Sequence, residues 1–480
     1  MPCSLRCRRL LSSRAATWPL RPSLFRSYPA QRLLTGTLGH PAMLSDFLED
    51  LAQFEFVAYE QAVRVFGRTD LPRESPLVTQ IHELARHAKA ALDDDRTTSS
   101  TITDMDALER HAHLRHTVTV MYLFLEAQSF VLREPKPRYE QYASIPLLRR
   151  VLQVYERTTL EAKKQQIWTS FQRILDDSAE FERSALNGEI PCPTREFDPG
   201  VAVQRIRQLE NIRQAVPENF AFAGSPSSRP ETDLRKIVEG YGDQGIIERL
   251  LVFPQTTYHD ETSFIRLIQL AECLFWGSLI HVQRALNAIS LGALEVAILR
   301  VREASEFASP LVRVFQAVSV MPPAHFLSFR QATDQASAIQ SLGWQLLDAH
   351  VYGVLPEKLP VLMNIPEVSE NISRLRNSGF TPLLPAVARA GQTAAADALR
   401  SATVELEHQL RAWRKFHEKR LAGRSDPSYL PPGALGTGGT SGYEYLASQH
   451  PPRLPAFSEA EHRQAEHREA EHRTAAPAVP

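Results

Sequence analysis

Apolar residues recur at three- and four-residue intervals along most of this chain, the spacing of an amphipathic helix. The stretch LSDFLEDLAQFEFVAYEQAVRVF over residues 44–66 shows it first. Ser45 reads there as an N-cap followed by acids in the first turn. Further helices are expected over 76–92, 105–132, 145–155 and 158–186, with breaks at 93–101, 135–139 and 188–199. Residues 205–240 read as a transition. AFAGSPSSRPETD has loop composition, a helix restarts at 231–239, and a soft domain boundary falls near 225–230. From Asp260, DETSFIRLIQLAECLFWGSLIHVQRAL is one long apolar helix with Phe264, Ile268, Ala271 and Phe275 along one side. A second helix spans 293–320 and is stopped by Pro322 and Pro323. A third begins at HFLSFRQATDQASAIQSLGWQLL, which places Arg330 near its start. A Leu- and Pro-rich loop follows over 355–366, then one or two helices over 383–421 ending at Gly423. No alternating strand run occurs. The expectation is an all-α protein, a helical-bundle domain over 230–450 preceded by a second helical region over 43–225.

Composition narrows the class. The chain has 480 residues, of which 43% are hydrophobic and 23% charged, enough for a substantial core. The formal net charge of −1 gives no global reason to expect nucleic acid or acidic lipid as a partner. No uninterrupted apolar run reaches the ~18–20 residues of a membrane span, so no membrane partner is expected. The cysteines at 3, 7, 192 and 273 contain no C-x-x-C pair, which argues against a thiolate zinc site and a disulfide framework. Cys273, inside an apolar helix, reads as a buried inert thiol.

Residues 1–42 hold seven arginines before the first acid, Asp46. They read as a transit peptide or, preferably, as an over-long start ahead of Met43. Secretion is disfavoured and a cytoplasmic location expected. In 451–480, AEHR recurs with a five-residue period that matches no helical face, so this tail is expected to be disordered. Its His462, His467 and His472 could bind metals only adventitiously. In ERHAHLRH, His113 and His116 share a helical face while His111 points elsewhere, which favours a solvated face over a metal site.

Two features carry chemistry. His417 follows Trp413 by one turn on a basic helix. A neutral imidazole is a good ligand for iron or zinc, and one helix position suffices if a macrocycle supplies the other ligands. About twenty residues on, GTGG permits positive φ and close backbone approach, and Thr437, Thr440 and Ser441 add hydroxyls. Taken alone, a packed histidine and a flexible linker account for both.

Four blocks in order change that balance, because together they resemble the tryptophan 2,3-dioxygenase superfamily of haem enzymes. DETSFIRLIQLAECLFW resembles D-E-x-x-F-I-x-x-H-Q-x-x-E-L-W. MPPAHFLSFRQATDQASAIQS resembles M-x-P-x-x-F-x-x-F-R followed by S-G-F-Q-S. WRKFH resembles the proximal-histidine stretch, and GTGGTSGYEYL is similar to GTGGS-S-G-x-x-Y-L. The blocks span 260–446, under half of the chain. The resemblance implies haem b, with O₂ as co-substrate, ligated by His417 and flanked by Trp413 and Gly438. It implies Arg330 on the carboxylate of an aromatic amino-acid substrate and Phe264 on the wall facing its ring. Thr437 would contact the substrate's ammonium and carboxylate groups. A homo-oligomer, a tetramer by resemblance, is also implied.

Departures are specific. Ile268 stands where many such enzymes carry a distal histidine, so it can shape and dry a pocket but not accept a proton. SAIQS replaces S-G-F-Q-S, an R-x-I-G segment after His417 is missing, the closing F-P-x-L-W is reduced to LPAF, and 44–217 has no counterpart. The implied function is an oxygenase acting on tryptophan or a related aromatic amino acid, with an N-formylkynurenine-type product. The alternatives are an aromatic-ring monooxygenase or hydroxylase, and a degenerate, non-enzymatic helical binding protein. Ile268 and the lost R-x-I-G favour the binding protein; Arg330, His417 and GTGG oppose it.

Overall fold

A computed structural model describes residues 41–98, 105–133, 138–190, 196–217, 234–333 and 338–421. Every regular element among them is helical and none is a strand. The N-terminal part supplies α1 (Pro41–Leu51), α2 (Phe56–Phe66), α3 (Pro76–Thr98), α4 (Met105–Arg133), α5 (Tyr139–Tyr142), α6 (Ile145–Val151), α7 (Leu160–Leu186), α8 (Pro199–Arg213) and α9 (Leu234–Gly245). The remainder supplies α10 (His259–Ser290), α11 (Leu294–Ala308), α12 (Leu311–Val318), α13 (Pro323–Thr333), α14 (Leu342–Tyr352), α15 (Leu359–Leu362), α16 (Pro366–Asn377), α17 (Leu383–Ala388) and α18 (Ala394–Phe416). A π-helical turn, Ile246–Leu250, follows α9, and another, His417–Leu421, follows α18.

Several boundaries differ from the pattern-based expectation. Helix α1 begins before Ser45, which is therefore an exposed mid-helix residue and not a cap. The 44–66 stretch breaks at 52–55. Helix α3 runs on through its three aspartates because Asp95 is buried and held by His111 and Arg115 of α4, a tertiary gain that outweighs weak propensity. Helix α6 stops at Val151, short of Tyr155. Helix α8 overlaps the stretch expected to be a transition; Asp198 caps it through Gly200 N at 2.7 Å and Pro199 occupies its first turn. The helix expected over 293–320 is two, α11 and α12, interrupted at Pro310, which has no N–H to continue the ladder. The third splits into α13 and α14, the latter capped by Ser341 Oγ accepting from Trp344 N. Helices α15 and α16 also lie where a loop or no element was expected.

Helix α10 is the axis of the packing. It is buried along most of its length and meets α7, α11, α12 and α14. Its length and apolar composition would suit a membrane span, but 89% of its most apolar window lies inside the protein, as in a core helix. Gly277 lets α11 approach closely: a Cβ there would sit 2.4 Å from the Phe307 ring. Phe307 in turn stacks on Trp168 of α7 at 4.5 Å. Elsewhere in the core, Phe253 packs on Tyr59 and Phe124 at 5.6 and 5.2 Å. One apolar core therefore runs from Leu44 to Trp413, through helices on both sides of residues 225–230. Burial of that surface is the main stabilising term.

Candidate functional site

The stripe Phe264–Ile268–Ala271–Phe275 on α10 has an aromatic cluster at each end. Three helical turns, about 16 Å, separate them. At the first end Phe264 packs on Phe326 and Phe329 of α13, each at 5.7 Å. The Arg330 guanidinium lies over the Phe326 ring at 5.6 Å, a cation–π geometry. Met321 and Tyr258 complete this cluster. Arg330 is in the last turn of α13 and not near a helix start. Ile268 is partly buried and packs against the core between the two ends.

At the second end Phe275 meets Trp413 at 5.2 Å and Trp344 at 5.5 Å, and the two indoles lie 4.5 Å apart. Phe315 of α12 reaches both Trp413, at 5.3 Å, and His417, at 5.0 Å. The His417 ring lies nearly parallel to Trp413 at 6.0 Å. His417 ends α18 and opens the π-helical turn, a local widening that recurs at functional sites. Burial lowers its pKa from 6.5 to about 4, so the imidazole is neutral near pH 7. No hydrogen bond or ion pair to it is found among the described residues. A neutral imidazole with no hydrogen bond among the described residues is chemically able to ligate a metal.

Buried polar contacts to which the sequence analysis gave no role hold this end in place. Arg414 Nη2 donates to Asp348 Oδ1 at 2.6 Å, and its guanidinium is sandwiched by Trp344 at 4.9 Å and Tyr352 at 4.4 Å. Lys358 Nζ donates to the other Asp348 oxygen at 2.6 Å. Helix α14, which carries Trp344, is pinned through its cap: Ser341 Oγ and Tyr139 OH both donate to Glu272 Oε1 of α10. Burial raises the Glu272 carboxyl above its ordinary range. Ser341 thus closes the SAIQS block in a structural role.

A buried polar chain fixes the other end. Glu182 of α7 accepts from Arg205 Nη1 at 2.5 Å, His259 Nε2 at 2.9 Å and Ser263 Oγ at 2.5 Å. Arg205 of α8 also donates to Asp260 Oδ1 at 2.6 Å, and His325 Nδ1 of α13 meets Asp260 Oδ2 at 2.6 Å. Burial alone would raise the Glu182 carboxyl, but the hydrogen bond from His259 and the Arg205 guanidinium overcome it and hold the pKa at about 2. Periodicity could not have signalled this chain, because its members are far apart in sequence.

Thr437 and Gly438 lie outside the described residues, as do Cys3, Cys7, Cys192, residues 1–40 and the AEHR repeats. Cys273 is fully buried, and burial pushes its thiol up. The ERHAHLRH histidines are not one solvated face. His111 is paired with buried Asp95 at 2.6 Å and His116 with Arg150 at 2.6 Å, while His113 is exposed. Among the described residues no three His, Cys, Asp or Glu side chains gather as a metal cluster. Two surface clefts, of about 800 Å³ beside Leu286 and His350 and about 370 Å³ beside Arg249 and Asp177, touch neither Arg330 nor His417. Comparison of the chain with protein-family models, curated proteins and solved structures finds no significant match.

Proposed function

We propose that this protein is a haem-dependent oxygenase of tryptophan or a related aromatic amino acid. The observation that carries the reading is His417: a neutral imidazole, walled by Phe315 and Trp413 and unpaired among the described residues. His417 would hold the haem iron, with Trp413 beside it. When bound, the haem supplies the activation of O₂ needed to oxygenate an electron-rich ring.

The chain's own residues bind, orient and dry. Arg330 receives the substrate carboxylate, for which a planar guanidinium is the best match. Phe264 and Phe326 present ring faces and edges to the aromatic side chain. Ile268 excludes water from the wall without accepting a proton. The resemblance also implies substrate and cofactor contacts from Thr437 and Gly438.

Oxygen uptake by haem-reconstituted protein, with tryptophan, tyrosine and their hydroxylated or methylated relatives, tests the activity. A product carrying both oxygen atoms is expected; one oxygen atom would indicate ring hydroxylation instead. Arg330→Ala should weaken L-tryptophan binding by roughly ten- to a hundredfold, the range for losing a charge-assisted hydrogen bond. It should leave tryptamine, which has no carboxylate, unaffected. Equal loss for both ligands would remove the carboxylate assignment.

A further inference from the structure

Helix α13, which carries Arg330, has little packing of its own. Only Phe329 and Thr333 are buried on it. Two of its polar contacts lead, directly or through α10, to the N-terminal part of the chain. His325 meets Asp260, whose other oxygen is held by Arg205, and Arg205 is shared with Glu182. Glu182, Arg205 and Asp260 are 0%, 2% and 4% exposed. The His259 ring, next to Asp260, is enclosed by Phe181 at 4.6 Å and Phe197 at 4.8 Å. Ser328 of α13 donates to Glu196 at 3.3 Å. The first turn of α10 is thus occupied by residues that also anchor α7 and α8, and α13 docks on its first two turns through Asp260 and Phe264.

We propose that the chain Glu182–Arg205–Asp260–His325 is a positioning brace that sets the orientation of α13, and with it Arg330. The N-terminal helices α7 and α8 are then a working wall of the substrate site, not a separate module. The consequence for binding rests on the proposed function, whereas the mechanical claim does not. A buried ionic chain is well suited to such positioning. Each of its members is costly to leave unpaired, so the arrangement of lowest energy is sharply defined.

The test uses the full chain and two variants, His325→Gln and Glu182→Gln. His325 is partly exposed, so its variant keeps the test open should Glu182→Gln fail to fold. In both, amide hydrogen exchange over 323–333 should accelerate about tenfold or more, with 394–416 unchanged, as for a local opening. In reconstituted His325→Gln, KM for L-tryptophan should rise about tenfold while kcat changes little, the mark of lost positioning of a binding group. The Soret band should not move, because His417 lies at the other end of the stripe. Unchanged exchange over 323–333 in His325→Gln would overturn the brace. If the wild-type protein takes up neither haem nor an aromatic amino acid, the proposed function falls and the exchange result alone judges the brace. Faster exchange with unchanged KM in an active enzyme would overturn the link to Arg330.

Discussion

Arg414 donates to Asp348 at 2.6 Å three residues before His417. Asp348 and Arg414 are both buried, and Asp348 also neutralises buried Lys358. Asp348→Asn would therefore leave two interior cations without their counter-charge. Its expected cost is about 3–5 kcal/mol, the range for removing one partner of a buried pair. Urea unfolding checks the magnitude. Weaker haem retention is expected as well, because the last turn of α18 loses its anchor.

Gly277 and Phe307 predict a packing defect of a different kind. A methyl at 277 would overlap the Phe307 ring, which is itself stacked on Trp168. Gly277→Ala gains helix propensity of up to about 1 kcal/mol but overpacks the α10–α11 contact by roughly 1–3 kcal/mol. Net destabilisation is expected, visible as a lower thermal midpoint. A stabilised variant would mean that the two helices separate easily.

Acid should weaken the brace in a defined window. Burial opposes ionisation of Glu182, but His259 and Arg205 more than offset it and bring its pKa from 4.5 to about 2. A depressed folded-state value means that the unfolded chain binds the proton first as pH falls. The stabilisation is complete above about pH 4.5 and is lost as pH falls towards 2. Glu303, held at about 2 against burial by His281 and Lys164, adds to the same window. The stability advantage of wild type over Glu182→Gln should shrink as pH falls below about 4.5. An advantage independent of pH down to 3 would show that Glu182 titrates normally.

The all-helical class was legible because apolar spacing reports it directly. Helix α10 and the shared side of Phe264, Ile268 and Phe275 were legible for the same reason. The ends of α3, α6, α11 and α13 were not, because tertiary pairs such as Asp95–His111 and local breaks such as Pro310 override periodicity. In the candidate site, periodicity and motif together pointed to His417, Trp413, Phe264 and Arg330. Glu182, Arg205, Tyr139 and Asp348 were invisible, since a buried ionic or hydrogen-bonded partner leaves no local pattern. The N-terminal helices gave no sign of meeting α10; only the packed structure brings Glu182 to His259.

The central claim is that His417 holds a haem, and the absorption spectrum of the full chain tests it most directly. After expression with added haem precursor, the wild-type protein should show a Soret band that His417→Ala loses. The variant should retain helical content, and a thermal midpoint close to that of haem-free wild type, because His417 makes no hydrogen bond or ion pair among the described residues. A colourless wild-type protein, or a Soret band unchanged in His417→Ala, would contradict the account.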